Sequence, residues 1–136
     1  MGTYLQCTRV GTSNSYKVYW AGSKDYLNSL ISNTAPFSVC FWLRAPNWTS
    51  YSNQVIMCCK TNDSGTGLVM YRDGGQGTKI DARLSYQNNF FTSTATQNSN
   101  WVHWAFVRDS SGAKWYCNGV VDNTNSSYGS LSNTAS

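Results

Sequence analysis

The stretch WVHWAFVRDSSGAKWYCNGVV, from Trp101 to Val121, carries the strongest local signals for the fold of this chain. Asn118-Gly119 predicts a two-residue type I′ hairpin, because both central residues of that turn need a positive φ. Asp109 to Gly112 predicts a second turn, since Asp and Ser bond their own backbone and Gly accepts a positive φ. The stretch is therefore predicted to form antiparallel strands joined by tight turns.

The single histidine of the chain, His103, lies in the first of these strands. Alternation along a strand separates two faces: Trp101, His103, Ala105 and Val107 on one, Val102, Trp104, Phe106 and Arg108 on the other. With large apolar neighbours, His103 is expected to be a partly buried framework residue that bonds a nearby backbone group or Asp. A catalytic or metal-binding role is the alternative.

Similar runs recur along the rest of the chain about every ten residues, which is the spacing of a β-sandwich or barrel. The predicted strands are residues 16–20, 37–43, 54–60, 67–72, 78–86, 101–108, 113–117 and 120–122. FSVCFWL and VIMCC are apolar throughout and predict strands covered on both faces. TKIDARLSY alternates strictly, which predicts one packed face and one solvent face carrying Asp81. Together these patterns predict an all-β fold of two stacked antiparallel sheets.

Composition is consistent with one all-β domain over residues 1–136. The chain has 136 residues, of which 40% are hydrophobic and 15% aromatic, and this length is enough for one core. Ser, Thr and Asn make up about a third of the residues, a mixture that disfavours helix interiors. The tryptophans in predicted strands are expected in the core: Trp20, Trp42, Trp101, Trp104 and Trp115.

Charge and cysteine usage exclude several partners. The ten Lys and Arg are scattered singly against six acids, all of them Asp, so the basic cluster typical of nucleic-acid binding is missing. The sequence shows neither a signal peptide nor an apolar run long enough to span a membrane. Five cysteines, with Cys58 and Cys59 adjacent, favour reduced thiols and a bacterial, viral or otherwise non-oxidising origin.

The order of three segments resembles a known family. FSVCFWLRA, QVIMCCK and WVHWAFVRDSSGAKWYCNGV are similar to successive strands of the laminin G-like, or concanavalin A-like lectin/glucanase, superfamily, and AGSKDYLNSL is similar to its early G-x-x-D-Y-L element. The resemblance covers Gly22 to Val121 and implies a jelly-roll β-sandwich in which His103 is a framework histidine. It implies these further framework positions: Phe37, Val39, Trp42, Trp101, Ala105, Val107, Tyr116 and Val120.

Family members continue through further strands after the Asn-Gly hairpin, whereas this sequence ends at Ser136. We expect the last strands to be truncated or to be supplied by residues 1–20. An uncovered sheet edge tends to pair with another copy, so a homo-oligomer is expected. The rival to a binding function is accordingly a structural or assembly protein, for example one encoded by a phage or mobile element, that oligomerises through open edges.

Catalysis is not expected. Retaining glycoside hydrolysis needs two carboxyl groups about 5 Å apart, but the chain has no Glu and its Asp residues are never closer than eight positions. No motif marks a nucleophile or a zinc site. Calcium is implied by the resemblance, because related domains often hold Ca²⁺ through loop oxygens. The loop candidates are Asp63, Asp73 and Asp122, and the resemblance assigns none of them as a ligand.

A non-catalytic binding module for a glycan or a protein surface is therefore the predicted function. Sugars are held by aromatic rings and by polar side chains that bond their hydroxyl groups. Aromatic residues in loops have less reason to belong to a core. The predicted ligand-binding residues are Trp48 and Tyr51 in PNWTSYSN, and Asn88, Asn89 and Phe90 in YQNNFF.

Overall fold

A computed structural model describes residues 35–44, 54–60, 67–72, 77–84 and 90–130 of the chain. The described residues form eight β-strands and one short 3₁₀ helix, Ser126–Ser130. The strands are β1 Phe37–Leu43, β2 Gln54–Lys60, β3 Gly67–Arg72, β4 Ile80–Leu84, β5 Phe90–Thr92, β6 Val102–Asp109, β7 Gly112–Cys117 and β8 Val120–Asn125. No helix in these ranges has the length and apolarity that a membrane span requires.

The strands form two four-stranded sheets in which every pairing is antiparallel. The first sheet has the order β1-β6-β7-β8, and the second has the order β2-β3-β4-β5. In the first sheet, β1 pairs with β6 from Phe37 opposite Arg108 to Leu43 opposite Val102. The predicted all-β sandwich is confirmed.

Both predicted turns join strands of the first sheet. Asn118 and Gly119 have φ angles of 50° and 82° between β7 and β8, as a type I′ hairpin requires. Between β6 and β7, the Asp109 carboxylate accepts hydrogen bonds from the hydroxyl and the backbone N–H of Ser111. These two bonds, the hydroxyl first, hold the pKa of Asp109 below its ordinary value. Gly112 completes this turn with a φ of 138°.

The core lies between the two sheets and is rich in aromatic rings. Trp104, Phe106 and Trp115 project into it from the first sheet, and Phe91 projects from the second. The Phe106 and Trp115 rings meet edge to face with centroids 5.1 Å apart, an arrangement that aromatic quadrupoles favour. Trp115 also donates from Nε1 to the Phe91 carbonyl oxygen at 2.7 Å. This bond fastens one sheet to the other.

Tyr128 of the 3₁₀ helix closes the core at one end. Its hydroxyl donates to the Ala82 carbonyl oxygen at 3.0 Å, and its own carbonyl oxygen accepts from Arg108 Nε at 3.0 Å. Burial raises the pKa of Tyr128, and the charge of Asp81 raises it further. Burial likewise lowers the pKa of Arg108. A phenol and a guanidinium are therefore built into the interior and satisfied there.

The second sheet differs from the prediction in β4. Asp81 was expected on a solvent face, yet it is 1% exposed. Its neighbours across the sheet are Tyr71 on β3 and Thr92 on β5, and Tyr71 is itself buried. Because β4 has a paired strand on each side and the Tyr71 ring lies opposite Asp81, the Asp81 carboxylate is not exposed to water. The alternating sequence of β4 therefore does not indicate a solvent face.

The two strands predicted to be covered on both faces are also different. β1 and β2 each lie at one end of the described strand order, and Cys40, Trp42 and Val55 on them are exposed. Only alternate residues of β1, such as Val39 and Phe41, face the core. An all-apolar strand is thus not evidence for two covered faces when its outer residues can pack against one another.

Most predicted strand boundaries are confirmed, and the exceptions are short or peripheral. β4 is shorter than the predicted 78–86, β8 extends to Asn125, and β5 was not predicted. The predicted strand at 16–20 and the segment 1–20, expected to supply closing strands, lie outside the described residues.

Candidate functional site

Most predicted site residues lie outside the described ranges. They are Trp48, Tyr51, Asp63, Asp73, Asn88 and Asn89. Phe90 was expected in a loop, but its backbone begins β5 and pairs with Arg83. The loop prediction for Phe90 is wrong because three residues are enough to form a ladder beside β4, whereas the sequence pattern shows only an Asn-rich approach to two aromatic residues.

The structure places Asp122 on the β8 strand. Its two carboxylate oxygens accept hydrogen bonds from the backbone N–H groups of Thr94 and Ala95, both at 2.7 Å. The next residue, Asn123, donates from its side chain to the Thr92 carbonyl oxygen at 2.8 Å. These bonds fix the segment after β5 against the edge of the first sheet. Within the described ranges, no group of three or more His, Cys or acidic side chains converges as a metal site would.

Two tryptophans expected in the core are exposed instead. Trp42 on β1 is 63% exposed, and Trp101, immediately before β6, is 62% exposed. By contrast, Trp104 and Trp115 are fully buried as predicted. The cause is the alternation of side chains along a strand. Trp42 is on the outer face of β1, and Trp101 is on the same face as His103, which lies opposite Trp42. Exposed apolar residues that form a contiguous patch can mark a binding surface.

Trp42, Trp101 and His103 together form a surface that we call the tryptophan platform. Trp42 lies directly opposite His103 in the β1-β6 register, and the centroids of their rings are 5.2 Å apart at an angle of 57°. Trp101 precedes His103 by two residues and so is the diagonal neighbour of Trp42, at a typical Cα separation of about 7–8 Å. His103 is partly buried, as expected for a framework histidine.

The backbone beneath the platform is held by the hairpin at Asn118. Asn118 Oδ1 accepts from the backbone N–H of His103 at 3.0 Å. In return, the backbone N–H of Asn118 donates to the His103 carbonyl oxygen at 2.8 Å. Both backbone polar groups of His103 are thereby engaged by one residue, which fixes the backbone position from which the imidazole ring projects.

Gln97 anchors the loop that leads into Trp101. Its amide nitrogen donates to the carbonyl oxygens of Leu43, Asn98 and Asn100, at 3.1, 2.8 and 3.2 Å. Its amide oxygen accepts from Trp104 Nε1 at 2.8 Å. Gln97 is 2% exposed, so these bonds lie in a low-dielectric environment where they are strong. The end of β1 and the start of β6 are held together by this one side chain.

Polar residues adjoin the platform residues, either in sequence or through a hydrogen bond. Asn98, Ser99, Asn100 and Asn118 are exposed and offer amide and hydroxyl groups that both donate and accept hydrogen bonds. Arg44 is the flanking cation, and its Nε donates to the Ser99 carbonyl oxygen at 3.0 Å. The platform thus consists of apolar rings within a largely uncharged polar rim.

The exposure of Trp42 could have been predicted from the sequence by comparing the two faces of β1. One face reads Phe37, Val39, Phe41 and Leu43, and the other reads Ser38, Cys40, Trp42 and Arg44. Ser38 and Arg44 identify the second face as the outer one, and Trp42 belongs to that face. The number of apolar residues in the whole strand does not reveal this difference between its two faces.

The three acids in the described ranges occur on different elements and have structural partners or deep burial. Asp81 is buried on β4, Asp109 is bonded within the β6-β7 turn, and Asp122 holds the segment after β5. Among the described residues, we therefore find no arrangement in which one carboxylate acts as nucleophile beside a second acting as acid.

A laminin G-type family model, described as the concanavalin A-like lectin/glucanases superfamily, matches residues 14–136. The matched region contains all eight described strands and the tryptophan platform. No curated protein and no solved structure matches the chain.

Proposed function

Because this chain belongs to the laminin G-like domains of the concanavalin A-like lectin/glucanase superfamily, we propose that it is a non-catalytic module that binds a glycan or a protein surface. Laminin G-like domains are in general binding modules, although the superfamily includes glycosidases. A fold of this kind serves many functions, so the proposal depends on the chemistry of the surface.

The observation that carries the proposal is the exposure of Trp42 and Trp101 on one sheet. A large aromatic ring in water costs free energy that burial against a ligand recovers, at about 25 cal/mol per Å² of apolar surface. Trp42 lies on β1 and Trp101 lies directly before β6, which reduces the entropy lost on binding. Such a surface supports ligand binding rather than catalysis.

The ligand-binding residues predicted from the sequence belong to the same proposal. Trp48, Tyr51, Asn88, Asn89 and Phe90 are proposed to extend the binding surface with rings and amide groups of the type that sugars require. They remain candidates on their residue types alone.

We propose that Asp63, Asp73 and the β8 residue Asp122 supply oxygen ligands to calcium, since hard cations prefer oxygen donors. Asp122 would contribute the lone pairs left on a carboxylate that already accepts two backbone hydrogen bonds. A calcium-dependent rise in the thermal midpoint of wild type, reduced in Asp63→Asn or Asp73→Asn, would support this part of the proposal.

A glycan array probed with the purified protein, with calcium and with EDTA, tests the function. We expect binding to a defined subset of glycans, and weaker binding by Trp48→Ala if the 48–51 segment contributes. Lack of binding under both conditions, together with a mass by light scattering that rises with concentration, would instead support the assembly role. Protein-surface recognition would be supported by saturable binding to a purified protein in the absence of any glycan signal.

A further inference from the structure

We propose that the tryptophan platform binds the pyranose rings of a neutral glycan, with Trp42 and Trp101 stacking on successive parts of the sugar chain. This inference rests on the proposed binding function and assigns it a site and a ligand class. The site lies on the first sheet of the sandwich, and none of its three residues is among the ligand-binding residues predicted from the sequence.

The first step is the chemistry of the rings. The apolar C–H faces of a sugar pack on an aromatic face, while its hydroxyl groups need hydrogen-bond partners around the edge. Trp42 and Trp101 are each more than three-fifths exposed and supply the aromatic faces. Asn98, Asn100 and Asn118 are exposed, and the Oδ1 atoms of Asn98 and Asn118 each accept one backbone hydrogen bond. Their amide groups can still donate to hydroxyls and accept from them, because an amide oxygen has two lone pairs.

The second step is preorganisation. The cross-strand contact with His103 restricts the Trp42 ring on one side. Asn118 engages the backbone of His103, and Gln97 joins the end of β1 to the residues before Trp101. A surface whose supporting backbone is already fixed loses little conformational entropy when it binds. Each of these restraints serves the three residues of the platform.

The third step is charge. The cation beside the platform, Arg44, already donates from Nε to the Ser99 carbonyl oxygen, and the platform residues themselves carry no carboxylate. One exposed guanidinium gives a weak and salt-screened attraction to an acidic polymer. Rings within an amide rim are suited to hydroxyl-rich, uncharged sugars, and binding should depend little on salt.

The fourth step is size. A stable protein interface buries about 800 Å² on each partner, or roughly 20–30 residues a side. The tryptophan platform consists of three residues, and the diagonal separation of its tryptophans is that of neighbouring strand positions. A short run of sugar rings covers this area, whereas a protein partner would require much more of the sheet.

Isothermal titration calorimetry with cellohexaose, xylohexaose, mannohexaose and chitohexaose tests the proposal. We expect wild type to bind at least one of them, and Trp42→Ala and Trp101→Ala each to weaken that binding by at least about tenfold. Trp42→Phe should keep part of the affinity because it keeps an aromatic face. Val55→Ala is the matched control, since Val55 is 62% exposed on the other sheet, and its affinity should equal that of wild type.

The single histidine provides a local reporter that does not depend on affinity. His103 contacts Trp42, so its imidazole NMR signals should shift when the bound hexasaccharide is added. They should not shift when heparin is added as an acidic probe. Thermal unfolding of each variant checks that the removal of an exposed ring has left the fold intact.

The outcomes separate this inference from the proposed function. Tight sugar binding that is unchanged in both tryptophan variants, with no shift of the His103 signals, would overturn the site while leaving the binding function in place. Absence of binding to all four sugars and across the glycan array would overturn both for glycans. Self-association that is lost in Trp42→Ala would overturn the glycan assignment and identify the platform as an interface between copies.

Discussion

Gly112 shows how strongly one residue can be constrained by its surroundings. Its φ of 138° is a conformation that side chains with a Cβ rarely adopt. A Cβ built at this position would lie 2.5 Å from the Asn125 carbonyl oxygen and 2.7 Å from the Ser126 Cα. Both contacts are with backbone, which cannot move aside as a flexible side chain can. The turn that looked ordinary in sequence is a point of close packing in the fold.

Gly112→Ala should therefore lower the free energy of unfolding by at least about 2 kcal/mol, through backbone strain and displacement of the chain at Asn125. Gly119→Ala is the matched control, because Gly119 has a φ of 82° but nothing within 4 Å of a built Cβ. It should cost only about 1–2 kcal/mol of conformational strain. Urea unfolding monitored by tryptophan fluorescence measures both values, and equal losses would contradict the packing argument.

At the level of elements, the sequence predicted the β6-β7-β8 part of the first sheet with nearly correct bounds. Its turns are specified locally, by Asn118-Gly119 and by Asp109 to Gly112, so no distant contact was needed to identify them. β5 was not predicted because it has only three residues, and its pairing with β4 depends on tertiary contacts that a local sequence pattern does not show. The outer face of β1 was misjudged because strand composition alone does not show which side is covered.

Asp122 joins two elements that are far apart in sequence. Asp122→Ala would leave the backbone N–H groups of Thr94 and Ala95 without their carboxylate acceptor, and we expect a loss of about 1–3 kcal/mol in the free energy of unfolding. Thr124→Ala, at an exposed position on the same strand, should change it by less than about 0.5 kcal/mol. Chemical denaturation compares the two, and similar stabilities would show that water replaces the carboxylate.

At the scale of the whole molecule, the sandwich and the aromatic core were predictable from strand spacing and from the buried pair Trp104 and Trp115. The proposed binding surface was less predictable from the sequence. Its residues come from separate strands, and their exposure depends on which face of each sheet meets the core. Trp42 shares its face of β1 with Ser38 and Arg44, whereas only the three-dimensional arrangement distinguishes Trp101 from the core tryptophans.

Tyr128 connects the end of the described chain to the second sheet. Its pKa is raised in the folded state by burial and by Asp81, whereas an unfolded tyrosine titrates near pH 10. The unfolded state therefore loses its proton first, so this contribution to stability is complete below about pH 10 and is lost as pH rises further. The protein should become steadily less stable in that alkaline range.

Tyr128→Phe should remove this contribution to the pH dependence. We expect the variant to be about 1 kcal/mol less stable at pH 7, because the Ala82 carbonyl oxygen loses its donor. Above about pH 10, its free energy of unfolding should decline less steeply than that of wild type. Urea unfolding at a series of pH values measures both effects, and parallel profiles would assign the alkaline loss to other groups.

The pairing of Leu43 with Val102 has a topological consequence. The chain leaves the first sheet at one of these residues and returns at the other, so the whole second sheet is an insertion into a hairpin made by β1 and β6. Trp42 and Trp101 lie next to the residues at which the inserted segment begins and ends. A ligand that contacts both tryptophans would hold the two ends of the inserted segment together. The free energy of unfolding should therefore rise as the fraction of ligand-bound protein rises.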